Sequence, residues 1–324
     1  MISVVVPFRD EQESLASLLD DLRQQEFSNY EVILVNDHSS DDSVAIAEQH
    51  RFPNVSIVQN RHLGKKAALD TGIEIAKGEI IVTTDADCSV GKHWLESIRK
   101  SLVNPKIKFV FGAVGIQPQP TFFAALQRVE FASLIGSGAA SSAIGFPTMS
   151  NGANLAFRKE AFAQVKGYKG NEHIASGDDE FLMRKIIQTF PDSVKFIPYA
   201  DATVLTKPQK SLAEFVQQRL RWAGKWRHNS SKVSVALAFF IVGVQLAFTA
   251  AVISSLFSLN YSILILLLTK MFLEATFINR VCRFTKVGMA WAAFLVLQIV
   301  YPFYVLGIGL MSNVTQPVWK GRAG

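Results

Sequence analysis

Residues 78–90 climb through a run of strand formers, Gly78-Glu79-Ile80-Ile81-Val82-Thr83-Thr84, and end at Asp85-Ala86-Asp87. Two carboxylates one residue apart at the exit of a buried strand are hard oxygen ligands. They suit Mg²⁺ or Mn²⁺ shared with a diphosphate. A cation held there would offset charge on a departing nucleoside diphosphate. Asp-x-Asp is common by chance, so this reading needs support from elsewhere in the chain. The support comes in order. "VVVPFRDE" is a strand opening into an acidic turn that carries Pro7, Arg9 and Glu11. "VILVNDHSSDDS" places Asp37 at the end of a second strand, where it can accept hydrogen bonds from a base or ribose. "HLGKKAALDTG" offers Lys65 and Lys66 for phosphates, "SGDDEFLMRKI" a further acidic pair in Asp178 and Asp179, and "QQRLRWAGKW" Gln218, Arg221 and Trp222. Blander roles exist for several of these. Asp37 could cap a helix, Asp179 could be a first-turn acid favoured by the helix dipole, and Trp222 could be an interfacial anchor.

Convergence of such groups requires a scaffold that gathers strand ends. The first hundred residues predict one. Ile2–Val6, Glu31–Val35, Val55–Gln59 and Glu79–Thr84 read as strands. Between them Asp10–Gln25, Asp41–His50 and Lys65–Ala76 read as helices; Leu15, Leu18, Leu19 and Leu22, for example, recur at steps of three and four. Strands alternating with helices predict a mostly parallel sheet with right-handed crossovers. Ligands of such sheets bind beyond the carboxyl ends of the strands, where these polar residues cluster. Lys108–Ile116 is expected to form one further strand. Residues 121–146 predict a helix lying on a membrane or buried, and the "GSGAAS" within them follows no strand, which argues against a dinucleotide loop.

The composition points to a membrane. Of 324 residues, 49% are hydrophobic, and the mean hydropathy is positive. Residues 233–259 and 287–311 carry no charge, and each exceeds the roughly 20 residues that cross a bilayer. Residues 261–279 are interrupted by Lys270 and Glu274, spaced one helical turn apart so that they can pair inside a bundle. Lys207, Lys210, Arg219, Arg221, Lys225, Arg227 and Lys232 precede the first segment against Glu214 alone, and Arg280, Arg283 and Lys286 follow the second. Both clusters mark the cytoplasmic side. This explains the +6 net charge without nucleic acid as a partner. Three spans would leave the basic tail outside, against the same rule. Met1 leads straight into a strand with no basic or apolar leader, so the N-terminal part is expected in the cytoplasm. Cys88 and Cys282 suggest neither a disulfide framework nor a metal motif. His38, His62 and His93 lack metal-ligand spacing, and no GxxxxGK[ST] loop occurs.

The ordered set resembles the family 2 glycosyltransferases with their GT-A fold. Within them it is similar to the membrane-bound branch that includes cellulose, chitin and hyaluronan synthases and ceramide glucosyltransferase. Gln218-Arg219-Leu220-Arg221-Trp222 matches the branch's Q/R-x-x-R-W motif, and Asp85-Ala86-Asp87 its metal and diphosphate motif. Asp37 matches the nucleotide-binding aspartate. Asp178-Asp179 matches the catalytic acidic pair, with Asp179 at the general-base position and Asp178 where glutamate is usual. Trp319-Lys320-Gly321-Arg322 resembles a basic segment after the last span of some lipid-modifying members. The resemblance implies an α/β GT-A (Rossmann-like) domain over 1–230 and a membrane domain over 231–324. It also implies an inverting, metal-dependent transfer from a nucleotide-sugar, expected to be a UDP-sugar, to a hydroxyl of a lipid-linked or glycan acceptor at the cytoplasmic face of the cell's inner membrane. Pro7, Arg9, Glu11, Asp37, Lys65 and Asp85 would bind the donor. Asp85 and Asp87 would hold Mg²⁺ or Mn²⁺, and Gln218, Arg221 and Trp222 would serve the acceptor and diphosphate. The competing expectations are a polyprenyl-phosphate glycosyltransferase, which needs no base, a nucleotidyltransferase, and a non-catalytic membrane scaffold.

Overall fold

The computed structural model describes residues 1–170, 177–224, 232–257, 260–312, 314, 318–319 and 322–323. Lys225, Arg227, Lys320 and Gly321 of the basic segments lie outside the described residues. The chain forms two compact units, Met1–Gly115 with Gly138–Lys207, and Ile116–Ser137 with Pro208–Gly324.

The first unit is built on β1 (Ile2–Phe8), α1 (Leu15–Arg23), β2 (Tyr30–Asn36), α2 (Ser43–Gln49), β3 (Val55–Gln59), α3 (Lys65–Ile75) and β4 (Ile80–Thr83). After these come β5 (Cys88–Val90), α4 (Trp94–Ser101), β6 (Phe109–Phe111) and β7 (Val114–Ile116). Beyond the helix α5 (Phe122–Ala143) lie β8 (Leu155–Arg158), α6 (Lys159–Gln164), α7 (Asp178–Thr189), β9 (Val194–Phe196) and β10 (Val204–Thr206). The alternation read from the sequence is present. α1 begins later than expected, because Asp10 takes a left-handed backbone, φ 51°, and turns the chain. Seven strands form a sheet in the order β3-β2-β1-β4-β8-β6-β9. β1 pairs in parallel with β2 and β4, β2 with β3, and β6 with β9, while β8 runs antiparallel to both its neighbours. β1 is buried along its whole length. A central strand of this kind needs a continuous apolar run rather than an alternating one, and Ile2-Ser3-Val4-Val5-Val6 supplies it. Its pairing with β4 ends at Val5, so Pro7 falls where one side of the strand has left the ladder and the missing N–H costs nothing.

Register fixes the functional edge. Phe8 is opposite Asn36, and Val5 opposite Thr83, so β1, β2 and β4 deliver Arg9, Asp37 and Asp85 at one end of the sheet. The reversed strand β8 begins at that same end, which brings the loop before it, Asn151–Asn154, beside the strand tips. One face of the sheet buries Val5, Ile33 and Val35 against Ala68, Leu69 and Ile73 of α3, and the core continues through Phe109, Phe157, Leu182 and Met183.

The single strand expected over Lys108–Ile116 is two. It breaks at Gly112-Ala113 because Asn154 is fully buried there. Asn154 Nδ2 donates to the carbonyls of Ala113 and Ala202 at 2.8 and 2.7 Å, and its Oδ1 accepts from Trp94 Nε1 at 3.0 Å. A side chain at Gly112 would stand 2.4 Å from Asn154 Nδ2. β7 then leaves for a second sheet, ordered β5-β10-β7.

The second unit holds the start of α5, then α8 (Leu212–Gly224), α9 (Lys232–Phe257), α10 (Tyr261–Phe284) and α11 (Trp291–Met311). "GSGAAS" lies inside α5, so it is helix rather than glycine loop. Val233–Phe257, Tyr261–Phe284 and Trp291–Met311 are long and apolar enough to cross a membrane, with mean hydropathies of 2.3, 1.7 and 2.0. α10 extends past residue 279, where the expected segment ended, to Phe284. Lys270 and Glu274 do pair, at 2.8 Å. Lys270 also donates to Gln298 Oε1 at 2.8 Å, and Gln298 donates to Glu274 at 3.1 Å. Lys270 Nζ lies 4.0 Å from the Phe248 ring, so this polar trio on α10 and α11 also touches α9. The units divide at residue 207 rather than at the change in composition near 233, because α8 packs on α11. Val318–Trp319 and Arg322–Ala323 form a short antiparallel pair.

Candidate active site

Asp37, immediately after β2, is 2% exposed. Its Oδ1 accepts from Asn60 Nδ2 at 2.8 Å and from the Gly64 amide at 2.9 Å. Asp37 therefore fixes the turn that starts α3, and the next residue is Lys65. Lys65 Nζ lies 2.6 Å from Asp85 Oδ1 and 3.8 Å from Asp178 Oδ2. One ammonium thus bridges the end of β4 to the start of α7. Burial opposes its charge, but Asp85 first and Asp178 next more than compensate and hold the ammonium above the ordinary lysine range.

Asp179 is next to this bridge. Its Oδ2 accepts from the Gly152 amide at 3.0 Å and its Oδ1 from the Glu180 amide at 2.7 Å. Gly152 is itself anchored to β4, since Thr83 Oγ1 donates to its carbonyl at 2.8 Å. A Cβ on Gly152 would lie 3.0 Å from Asp178 Oδ2, 3.4 Å from Lys65 Nζ and 3.9 Å from Asp179 Cβ. Asp178 Oδ2 alone would be crowded, while the other two would stand at ordinary contact distance. Asp178, Asp179 and Glu180 fill the first turn of α7, where the helix dipole favours negative charge. The structure thus gathers Asp37, Lys65, Asp85, Asp178 and Asp179 along the carboxyl edge of the sheet.

Asp87 follows on β4's exit. Thr206 Oγ1 donates to its Oδ2 at 3.4 Å, and Cys88 Sγ lies 3.6 Å from its Oδ1. Burial pushes the Cys88 thiol well up, and Asp87 and Asp85 push it the same way, so it stays a packed thiol rather than a nucleophile. Arg9 Nε lies 3.4 Å from Asp10 Oδ2, and the Glu11 amide donates to Ser43 Oγ at 2.7 Å. His38 carries a left-handed backbone, φ 58°, and its Nδ1 is 3.2 Å from Gln59 Nε2.

The donor set fits a divalent cation of the hard type. Asp85 already accepts a cation, the Lys65 ammonium, at contact distance. Among the described residues no group of three or more His, Cys, Asp or Glu is placed to enclose a metal. Two carboxylates completed by substrate phosphates and water are the usual Mg²⁺ arrangement, in contrast to an all-protein cage.

Gln218, Arg221 and Trp222 lie on α8 in the second unit. Their neighbour Arg219 is buried and ion-paired, and sequence reasoning passed over it as one of the juxtamembrane cations. It is 5% exposed and donates from Nη2 to Glu130 Oε2 at 2.5 Å and from Nε to Glu130 Oε1 at 3.1 Å. Its Nη1 donates to Gln218 Oε1. The signal for Glu130 was available: it is the one acid in the 22 residues of α5. Gly152 and Asn60 were missed because a backbone amide and a turn amide carry no mark of their targets.

Comparison with known proteins gives the family and the fold. The family described as Glycosyl transferase family 2 matches residues 3–185, more than half of the chain. A poly-beta-1,6-N-acetyl-D-glucosamine synthase of Staphylococcus epidermidis is 28% identical over 231 residues, 68% of this chain and 53% of its own. The chain therefore spans about half the length of the curated relatives it matches. An undecaprenyl-phosphate 4-deoxy-4-formamido-L-arabinose transferase of Pseudomonas savastanoi is 38% identical over 96 residues, 26% of this chain and 28% of its own. Among solved structures, a mannosyltransferase of Pyrobaculum calidifontis in complex with GDP-Man and Mn²⁺ shares the fold, with a TM-score of 0.59, 20% identity, and coverage of 92% of this chain and 86% of that one. With its family-wide match over the strand tips and acidic pair described above, this chain belongs to glycosyl transferase family 2.

Proposed function

We propose that this protein transfers a sugar from a nucleotide-sugar, a UDP-sugar, to a hydroxyl of a lipid-linked or glycan acceptor, with inversion, at the cytoplasmic face of the inner membrane. The observation that carries the reading is the bridge Asp85–Lys65–Asp178 beside Asp179, whose carboxylate accepts from the Gly152 amide. Asp37, Arg9 and Glu11 receive the nucleoside at the ends of β1 and β2, and Pro7 sets the close of β1. Asp179 takes the proton of the acceptor hydroxyl as the oxygen attacks the anomeric carbon. Its two amide contacts hold the carboxylate in one orientation for that transfer. Asp178 keeps Lys65 within reach, and Lys65 turns from Asp85 to the diphosphate when donor arrives. Asp85 and Asp87 would hold Mg²⁺ or Mn²⁺, which supplies charge neutralisation on the leaving diphosphate. Gln218, Arg221 and Trp222 serve the acceptor and the departing diphosphate, and the apolar helices α9–α11 cross the bilayer as a multi-pass anchor.

A second reading, a polyprenyl-phosphate acceptor, is favoured by the Pseudomonas relative's match. A phosphate acceptor arrives ionised and needs no base. Family membership leaves the nucleotidyltransferase reading without support. The test is a screen of UDP- and GDP-sugars with Mn²⁺ and purified full-length protein, following nucleoside diphosphate release. Asp179→Asn is expected to lower turnover about 10²–10⁴-fold with donor binding retained. Unchanged turnover would remove Asp179 from the base role and leave the phosphate-acceptor reading.

A further inference from the structure

We propose that Arg219 is a positioning residue for the acceptor-side motif, and that Glu130 and Tyr304 hold it in place. The proposal rests on the role given above to Gln218 and Trp222. Arg219 binds both of them. Its Nη1 donates to Gln218 Oε1, and its Cζ lies 4.3 Å from the Trp222 ring and 4.4 Å from the Phe215 ring. Phe215 and Trp222 stand four residues before and three after Arg219, so one helical face stacks ring, guanidinium and ring. Phe131 of α5 closes on Trp222 with ring centroids 5.8 Å apart.

A buried guanidinium is costly unless a carboxylate meets it in good geometry. Glu130, 4% exposed, meets it with both oxygens. Glu130 is held in turn by Tyr304 Oη of α11, which donates to Oε1 at 3.2 Å, and Tyr304 packs its ring 5.7 Å from Phe215. Arg219 therefore has three of its N–H groups and its ring contacts assigned, and the assignment fixes the Gln218 amide and the Trp222 indole. Lysine could not reproduce it, since a point charge has neither the planar fork nor the stacking face. A pair present only for stability would have no need to engage the two motif residues. The consequence is mechanical. Tyr304 of α11, one of the long apolar helices, touches Glu130 with its hydroxyl and Phe215 with its ring, so a displacement of α11 changes how Gln218 and Trp222 are held.

The test uses the full-length protein in lipid nanodiscs, labelled with 5-fluorotryptophan. The chain has five tryptophans, and Trp222→Phe assigns one fluorine line. Three readouts are taken on Glu130→Gln, Tyr304→Phe and Arg219→Lys: the Trp222 line, Mn²⁺–UDP binding by calorimetry, and nucleoside diphosphate release from the sugar donor that the unmodified protein turns over best. The Trp222 line is expected to move while the Trp94 line stays, and Mn²⁺–UDP affinity to stay within about twofold. Release is expected to fall about tenfold in Glu130→Gln and in Arg219→Lys and about threefold in Tyr304→Phe, which removes one hydroxyl and keeps the ion pair. Arg219→Lys with ordinary release and an unmoved Trp222 line would overturn the proposal. So would a moved line with unchanged release, or loss of Mn²⁺–UDP binding together with movement of every line, which is the pattern of a purely structural pair. If the unmodified protein released no nucleoside diphosphate from any donor, the transferase reading would fall, while the fluorine lines would still decide whether Glu130 and Tyr304 set the surroundings of Trp222.

Discussion

Lys65 meets Asp85 at 2.6 Å with side chains 24% and 36% exposed, whereas Arg219 meets Glu130 at 2.5 Å with side chains 5% and 4% exposed. The first pairing joins a flexible point charge to a carboxylate that water still reaches. The second joins a planar fork to a carboxylate sealed among aromatic rings. An exposed ion pair contributes little stability, on the order of 0–1 kcal/mol, and is easily exchanged for another cation. A buried pair is hard to break, because removing one partner strands the other in a low-dielectric interior. The first unit thus carries a paired cation that solvent still reaches. The second carries a cation fixed as framework. Both units use the same elementary attraction, and solvent access decides which use results.

The largest test of the contrast is Glu130→Ala. It leaves the Arg219 guanidinium buried without its carboxylate and is expected to cost about 3–5 kcal/mol of stability, read from equilibrium unfolding in detergent. A cost below about 1 kcal/mol would place the pair in the exchangeable class with Lys65. Lys65→Ala should act in the opposite sense on metal. With the competing ammonium gone from Asp85, Mn²⁺ affinity in the absence of donor is expected to rise about tenfold, while donor affinity falls. Titration followed by electron paramagnetic resonance gives the first quantity. Weaker Mn²⁺ binding would mean that Lys65 helps to build the site instead of occupying it. Gly152→Ala pushes a methyl toward Asp178 Oδ2 and Lys65 Nζ. Because both are side-chain ends that can yield, about a fivefold loss of turnover with a loss below about 1 kcal/mol in stability is expected. The smallest effect is expected from Lys270→Met, which removes one member of the trio with Glu274 and Gln298. Polar contacts between membrane helices average about 0.6 kcal/mol, and a shift of that order in unfolding midpoint, with turnover unchanged, is the anticipated result.

Legibility followed the range of the interactions. The strands at 2–8, 30–36 and 80–83 were readable because a sheet buried on both faces demands consecutive apolar residues, and the helices between them because of their three-and-four spacing. The acidic residues at the strand ends were readable for a related reason, since a carboxylate has no place inside such a run. Helix α10 reads less clearly from sequence because Lys270 and Glu274 interrupt it until their partner Gln298, 28 and 24 residues away, is in place. The 108–116 segment looked like one strand because nothing local announces Asn154, which sits 42 residues beyond the break at Gly112.

The amino-acid order alone determined the alternating scaffold, the identity of the charged groups at its edge and the three apolar helices, because each depends on periodicity or composition over neighbouring residues. The tertiary structure alone decided which groups meet. Reversal of β8 turns the Gly152 amide toward Asp179, the turn at Gly64 sends Lys65 to Asp85 and Asp178, and the crossing of α5 with α8 gives Arg219, rather than the better-marked Arg221, to Glu130. Those meetings join residues 20 to 113 positions apart, from Lys65 and Asp85 to Lys65 and Asp178. Contacts over such separations follow from strand direction and helix packing, which no local window of sequence contains.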